Sequence, residues 1–354
     1  MCRPQASPIP FLEERLGAGP LRAKHSLKQE APRRVWIAWE TQRRNRTLSQ
    51  MVRARLFEFD TELHRLLRYP LFLAKTMGVL SASRPSLLLV QNPSLLLALF
   101  AVFYGRAFRI PVVVDAHNAG LFPLEGRSRL LNWIAGRIRR MAMTTIVSNV
   151  RLAESVVRDG GTAFVMPDPI PQLPPPPQSA RLRGKSNVLF VCTWAADEPY
   201  LQVVEAAELA GSSVCIYMTG RRRNAEKRLS GACPDNVVLT DYLSEADYVQ
   251  MLYSCDVVVV LTKRDNCLTC GAYEAIAAER PLIVSDTPVL RELFSRGALY
   301  TDNTAQDIAR KIHEAIRRKD ELTRDIRLLK QELSARSSST IEAFEHHLRE
   351  HRIV

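Results

Sequence analysis

From Arg34 onward, short apolar runs rich in Val, Ile and Leu alternate with longer segments of helical periodicity. The runs Val35–Trp39, Arg55–Phe59, Ser86–Gln91, Pro111–Asp115, Thr144–Val147 and Ala163–Met166 are strand candidates. Between them, Tyr69–Ser83, Ser94–Phe108, Ser128–Met143 and Asn149–Asp159 are each long enough for a helix. Strands that are apolar almost throughout and separated by helices predict a parallel sheet covered on both faces. The rhythm stops at Pro167-Asp168-Pro169-Ile170-Pro171. Seven prolines fall among residues 167–185, too many for a helix or a central strand, so this stretch reads as an interdomain linker.

The rhythm then restarts. Strands are predicted at Asn187–Thr193, Val214–Thr219, Asn236–Thr240, Asp256–Thr262, Leu282–Ser285 and Ala298–Thr301. Helices are predicted at Tyr200–Leu209, Arg221–Leu229, Glu245–Ser254, Ala272–Ala278 and Val289–Ser295, followed by a charged helical tail from about Gln306. Ser337-Ser338-Ser339 interrupts that tail as a coiled coil, so it is expected to pack on the domains. The pattern gives an α/β chain of two doubly wound, Rossmann-like domains with an interdomain cleft, where such sheets bind ligands at strand C-terminal ends. The boundaries are a flexible extension over 1–33, a first domain over 34–168, a proline-rich linker over 169–185, a second domain over 186–305 and C-terminal helices over 306–354. A length of 354 residues is enough for two such domains.

Charge changes the picture. Residues 1–168 hold 25 Lys and Arg against 12 Asp and Glu, while 169–354 hold 24 against 25, so the excess of +12 lies in the first half. A basic half suits phosphates, nucleic acid or an anionic membrane, or is simply a solvated arginine-rich surface. Few aromatics interleave the arginines and no recognition motif is present, which argues against nucleic acid. The most apolar stretch, Ser94–Tyr104, is about half the length of a spanning helix. It is expected to be a buried helix, with peripheral membrane attachment of the basic domain left open. The first thirty residues carry no apolar signal core and two of the seven cysteines sit in apolar runs, so a reduced, cytoplasmic setting is expected. Cys267-Leu268-Thr269-Cys270 supplies only half of a zinc site with no second pair to complete it; neither a metal nor another cofactor is expected.

Three constellations carry candidate chemistry. The first runs from Asp265 to Asp286, through a strand end, a polar loop with Gly271 and the start of a helix. A helix N-terminus binds phosphate without a lysine. Glu274, expected in the first turn of that helix, either takes the two hydroxyls of a ribose or merely complements the helix dipole. The second is Asp115-Ala116-His117-Asn118 at a strand end, where Asp, His and Asn together are costly to bury without purpose. Asp115 and His117 are the catalytic candidates, His117 as a base or as a hydrogen-bonding group that orients a sugar hydroxyl. The third is Glu40-Thr41-Gln42-Arg43-Arg44-Asn45-Arg46, read as a loop whose three arginines suit a phosphate or form a solvated turn. Ser148-Asn149 reads as a helix cap.

The run Glu274-Ala275-Ile276-Ala277-Ala278-Glu279-Arg280-Pro281-Leu282-Ile283-Val284-Ser285 resembles the donor-site signature of retaining GT-B glycosyltransferases related to family 4. The resemblance extends more weakly over about Val35 to Ile312 through the order of elements. It implies a nucleotide sugar as co-substrate, with Glu274 on the donor ribose and the Gly271-Ala272 amides on the diphosphate. Thr269, Cys270, Asn266, Arg221 and Tyr242 complete the donor-binding set, Arg221 supplying charge that relatives draw from an Arg and Lys absent beside Asp197 and Glu198. Relatives often carry a second glutamate at the position of Asn266, so the donor sugar and the stereochemical outcome stay open. The Asp-x-His-Asn form is similar to lipid-linked mannosyltransferases. Arg43, Arg44, Arg46 and Asn118 then fall in the acceptor region, and a glycan or lipid-linked pyrophosphate acceptor would explain the basic half. The activity so implied is glycosyl transfer to an acceptor hydroxyl, with a nucleotide-sugar epimerase or hydrolase of the same architecture as the alternative.

Overall fold

A computed structural model describes residues 33–351, apart from 62, 93 and 230–232. The extension expected over 1–33 lies, but for Arg33, outside the described residues. The first domain comprises β1 (Arg34–Ala38), α1 (Arg43–Met51), β2 (Arg55–Glu58), α2 (Arg65–Ser83), β3 (Leu87–Asn92), α3 (Leu95–Phe108), β4 (Val112–Ala116), α4 (Asn118–Leu121), α5 (Arg129–Met141), β5 (Thr144–Val147), α6 (Val150–Arg158) and β6 (Ala163–Val165). The second comprises β7 (Ser186–Phe190), α7 (Tyr200–Ala210), β8 (Val214–Thr219), α8 (Arg222–Arg228), β9 (Val237–Asp241), α9 (Glu245–Ser254), β10 (Val257–Val260), α10 (Cys270–Ala277), β11 (Leu282–Ser285), α11 (Pro288–Leu293), β12 (Ala298–Thr301) and α12 (Ala305–Arg317), and α13 (Lys319–Glu350) ends the chain.

Each domain holds a six-stranded sheet, ordered β2-β1-β3-β4-β5-β6 in the first and β12-β11-β10-β7-β8-β9 in the second. Every strand pairing is parallel. Successive side chains leave opposite faces, and both faces are buried. In β1, Val35 and Ile37 enter one core cluster with Leu88 and Val114, while Trp36 enters the other with Leu89 and Val113. That double burial is why the strands read as continuous apolar runs. The strand order reverses between β1 and β3, and again between β7 and β10. At these points helices leave for opposite faces and a crevice opens at the strand C-terminal ends.

Residues 167–185 contain neither helix nor strand. The stretch is held along the second domain by hydrogen bonds from Tyr253 Oη to the Leu173 carbonyl at 2.6 Å, from Ala180 N to Ser254 Oγ at 2.7 Å and from Arg183 N to Tyr217 Oη at 2.6 Å. α13 packs on both domains. Leu322, Ile326 and Leu329 join the second-domain core, whereas Phe344 and Leu348 join Trp36, Leu48 and Met166 of the first. Arg34 ties β1 to the helix through Glu345 Oε2 at 2.8 Å. Ser337-Ser338-Ser339 does not interrupt it. Ser339 and Thr340 hydroxyls donate back to the Arg336 carbonyl at 2.9 and 2.8 Å, which satisfies them inside a continuous helix.

Candidate active site

The segment Glu40–Arg46 is not a loop throughout: α1 begins at Arg43, so its three arginines occupy one helical turn and diverge. Arg43 reaches the second domain, donating from Nη1 to Glu274 Oε1 at 2.9 Å and lying 3.3 Å from Glu245 Oε1. Arg44 turns inward. Its guanidinium bonds Asp115 Oδ1 at 2.9 Å, Asp115 Oδ2 at 3.1 Å and the Met166 carbonyl at 3.0 Å, and it also pairs with Asp168. Arg46 points outward to Glu58 at 2.8 Å. Of the three arginines expected to bind acceptor, Arg44 is therefore committed to a buried ion pair and cannot meet a phosphate at the cleft mouth.

The same pair changes the reading of Asp115. Its side chain, at the end of β4, is only 1% exposed and both carboxylate oxygens face Arg44. Burial would push this carboxyl up, yet Arg44 and His117 beside it hold it below the usual carboxylate range. A carboxylate so enclosed positions its neighbours rather than touching a substrate. His117 is different. It caps α4 with extended backbone, its amide bonds the Asn92 carbonyl at 3.1 Å, and its ring is half-buried. His117 Nε2 lies 3.7 Å from Asp115 Oδ2 and has no hydrogen-bond partner in the structure. That nitrogen is shut off from solvent, so the side of the imidazole open to a ligand is the exposed one, away from Asp115.

On the second domain, α10 begins at Cys270, so Glu274 opens its second turn rather than lying in the first. Thr269 is the N-cap residue but its side chain makes no cap bond, and Thr269 Oγ1 is buried without a partner. Gly271 has an ordinary backbone; its need is space. A Cβ there would lie 2.9 Å from Val191 Cγ1 and 3.2 Å from Val260 Cγ1, so glycine lets the start of α10 press against the ends of β7 and β10. Ala272 is fully buried in the core beneath it. Cys270 is exposed and Cys267 partly buried, both as free thiols. Among the described residues no cluster of three His, Cys, Asp or Glu side chains is arranged for a metal ion.

Glu274 is not free. Arg43 occupies one carboxylate oxygen and the Tyr248 hydroxyl on α9 donates to the other. Burial pushes its carboxyl up from the usual range, with Tyr248 and Arg43 pulling against it and Glu245 adding to the rise. Asn266 contributes its backbone as much as its side chain. Its carbonyl accepts from Asn118 Nδ2 and from Asn149 Nδ2, each at 3.3 Å, and its Oδ1 is buried without a partner. Asn149 also caps α6, accepting from Leu152 N at 3.0 Å as the sequence suggests.

These bonds bring the two expected half-sites together. Adjacent residues Arg43 and Arg44 reach Glu274 and Asp115, and Asn118 follows His117 directly onto Asn266. Between the domains lies a cavity of about 550 Å³, lined by Asn118, Ala119, Phe122, Leu124 and Glu125 on one side and Lys263, Arg264, Asp265 and Asn266 on the other. Arg264 spans it loosely, 3.4 Å from Asp197 and 3.7 Å from Glu125. Arg221 and Tyr242 meet each other instead, with the guanidinium 5.4 Å from the ring centroid, at the exposed ends of β8 and β9 and outside this cavity's lining. Sequence reasoning passed over Tyr248, Glu245, Arg264 and the pairing role of Asp168. Only the unusual KR pair at 263–264 on a strand end offered a signal.

Residues 185–318, spanning β7 to α12, match the family model of glycosyl transferases group 1. No curated protein matches the chain in sequence. Among solved structures, HepE from Anabaena in complex with UDP and glucose is similar with a TM-score of 0.64 and 13% identity, over 89% of this chain and 91% of that one. Sucrose-phosphate synthase from Thermosynechococcus elongatus gives 0.66 and 14% over 90% and 99%. A UDP-forming α,α-trehalose-phosphate synthase from Burkholderia xenovorans gives 0.60 and 13% over 82% and 80%. The chain has the GT-B architecture and its second domain matches the group 1 model. Together they define a glycosyltransferase.

Proposed function

We propose that the enzyme moves a sugar from a nucleotide diphosphate held by the second domain to an acceptor hydroxyl presented by the first. The observation that supports this reading is the pair of contacts between the domains, Arg43 to Glu274 and Asn118 to the Asn266 carbonyl, which link the two expected half-sites. Glu274 takes the ribose hydroxyls, the Gly271 amide at the start of α10 takes the diphosphate while the Ala272 amide donates to the Thr269 carbonyl at 3.1 Å, and the sugar lies toward Asn266 and His117. The cavity beside Asn118 receives the acceptor, and closure of the cleft excludes water so that transfer outruns hydrolysis. The UDP and glucose in the HepE complex make a UDP-sugar the first donor to try.

The test is a thermal-shift panel of nucleotide sugars, since a ligand that binds the native state raises its melting temperature. A donor that stabilises the wild-type chain should give no shift with Glu274→Ala, measured from that variant's own unliganded melting temperature, which loss of the Arg43 and Tyr248 partners lowers. A full shift in that variant removes Glu274 from the donor site.

The acceptor in this reading is a lipid-linked or growing polysaccharide glycan met at the inner membrane face. No helix among the described residues is long and apolar enough to cross a membrane. Peripheral contact has a surface to use: Leu124, Leu130 and Trp133 are 68%, 66% and 61% exposed. Leu130, Trp133 and Arg137 share one face of α5, and Arg127 and Arg129 flank it, a mixture suited to an anionic bilayer. Wild-type protein should cosediment with vesicles containing phosphatidylglycerol and not with neutral ones. A Leu130→Ser/Trp133→Ser double variant should bind several-fold less, and equal sedimentation of the two proteins would dismiss this surface.

A further inference from the structure

The transfer reading leaves one contact in the cleft unused. Arg43, on the first domain, ion-pairs the very carboxylate that is to hold the donor ribose on the second. We propose that Arg43 is the cation of the donor diphosphate, supplied from the opposite domain, and that donor binding moves it from Glu274 to the phosphates. This deepens the proposed function and rests on it.

Competition for Glu274 is the first ground. Its two oxygens are engaged by Arg43 Nη1 at 2.9 Å and by the Tyr248 hydroxyl. Ribose hydroxyls must donate to those same oxygens, so a donor bound at Glu274 displaces or crowds the guanidinium. Arg43 has somewhere to go. Its side chain is 36% exposed and borders open space of about 470 Å³ between α1, the linker and the start of α9.

Charge is the second ground. A nucleoside diphosphate brings its negative charge to a place already holding Glu274 and, beside it, Glu245. Of the neighbouring arginines, Arg44 is buried between Asp115 and Asp168, Arg46 turns outward to Glu58, and Arg264 lies at the cavity beside Asn266, loosely held by Asp197 and Glu125. Arg43 is the cation in direct contact with the donor glutamate, and its planar fork pairs phosphate oxygens as well as it pairs carboxylate. The exchange also has a mechanical consequence. A cation rooted in α1 that grips a ligand resting on α10 draws the two domains together, so closure is coupled to the diphosphate and not to the nucleoside.

The test measures binding of UDP, GDP, ADP and dTDP, each against its own nucleoside, by calorimetry on the full chain. The wild type should prefer the diphosphate that it recognises. Arg43→Ala should weaken that diphosphate by about 10- to 100-fold, the range for a charge-assisted bond. Its nucleoside affinity should hold or tighten, because the competitor for Glu274 is gone. Arg43→Lys should fall between, and Arg43→Gln, which keeps the length without the charge, should match alanine and serves if the alanine variant folds poorly. A diphosphate-to-nucleoside ratio unchanged in both neutral variants overturns the assignment of Arg43 while leaving the donor site intact. A wild-type chain that binds none of the four diphosphates overturns the transfer reading itself, and this inference with it.

Discussion

Replacing Arg44 with alanine should cost about 3–5 kcal/mol of stability, because it strands two carboxylates that the fold has buried around one guanidinium. Asp115 is 1% exposed and the Arg44 side chain 5%, so little solvent is at hand to replace the lost partner. The melting temperature should fall by about 10 °C, read by calorimetry or circular dichroism. Arg44→Met should be nearly as damaging, since packing is retained and the charges are still orphaned, and adding Asp115→Asn should recover part of the loss. The pH dependence separates a lost ion pair from lost volume. In the wild type the Asp115 carboxyl is held below its usual range, so its contribution is whole above the unfolded value and is lost as pH falls through the lower, folded one. In Arg44→Met the burial that opposes the charge acts with less restraint, the folded carboxyl moves up, and the variant should gain stability relative to the wild type as pH falls through that raised value. A variant that melts like the wild type, or that shows the same acid slope, would remove the buried pair as a cause of stability.

The pair also explains what could and could not be read from the chain. The inner strands were legible because both their faces are buried, which leaves short apolar runs such as Val257–Val260 and Leu87–Asn92 between helix-length segments. α1 was hidden for the opposite reason. Its buried positions are Arg44, Asn45, Leu48 and Ser49, three of them polar, so hydrophobic periodicity has almost nothing to report. A helix that buries an arginine can be recognised only once its partners are known, and Asp115 and Asp168 lie 71 and 124 residues away. The tail was legible in its packing, expected on the two domains and made there by Ile326 and Phe344 on either side of the serine triplet, which leaves the helix unbroken.

The site divides in the same way. Its two halves were legible, because each is a compact motif at a strand end: Asp115-Ala116-His117-Asn118 and the run from Gly271 to Ser285. Their junction was not. Arg43 and Glu274 are 231 residues apart, and Tyr248 reaches Glu274 from a helix with no motif at all. Which of three neighbouring arginines enters the cleft is decided by the rotation of α1, a property of the helix and invisible while the segment is taken for a loop. The same holds for Asp115 and His117: two residues apart on a strand end, one is enclosed around a buried guanidinium and the other is 32% exposed.

That difference makes opposite predictions for the two. Asp115→Asn should act mainly on stability, through Arg44, whereas His117→Ala should act on turnover. His117 is anchored by its amide on the Asn92 carbonyl and by its place at the start of α4, so removing the ring leaves the backbone path undisturbed. Its Nε2 is buried, unpaired and 3.7 Å from a carboxylate that Arg44 prevents from rotating. The side chain as a whole is 32% exposed against 1% for Asp115, so the imidazole is the member of this pair that a ligand can approach, by the side away from Nε2. His117→Ala should lower kcat with the best donor by about 100-fold or more, the usual scale for a lost acid–base or orienting group, while KM for the donor changes by less than about threefold. His117→Gln distinguishes the two ways the ring can act. If it orients a hydroxyl by hydrogen bonding, glutamine should restore at least a tenth of the wild-type kcat; if it moves a proton, glutamine should be as slow as alanine. A His117→Ala enzyme that turns over at the wild-type rate would leave the cleft without its reacting-side residue, whatever Glu274 binds.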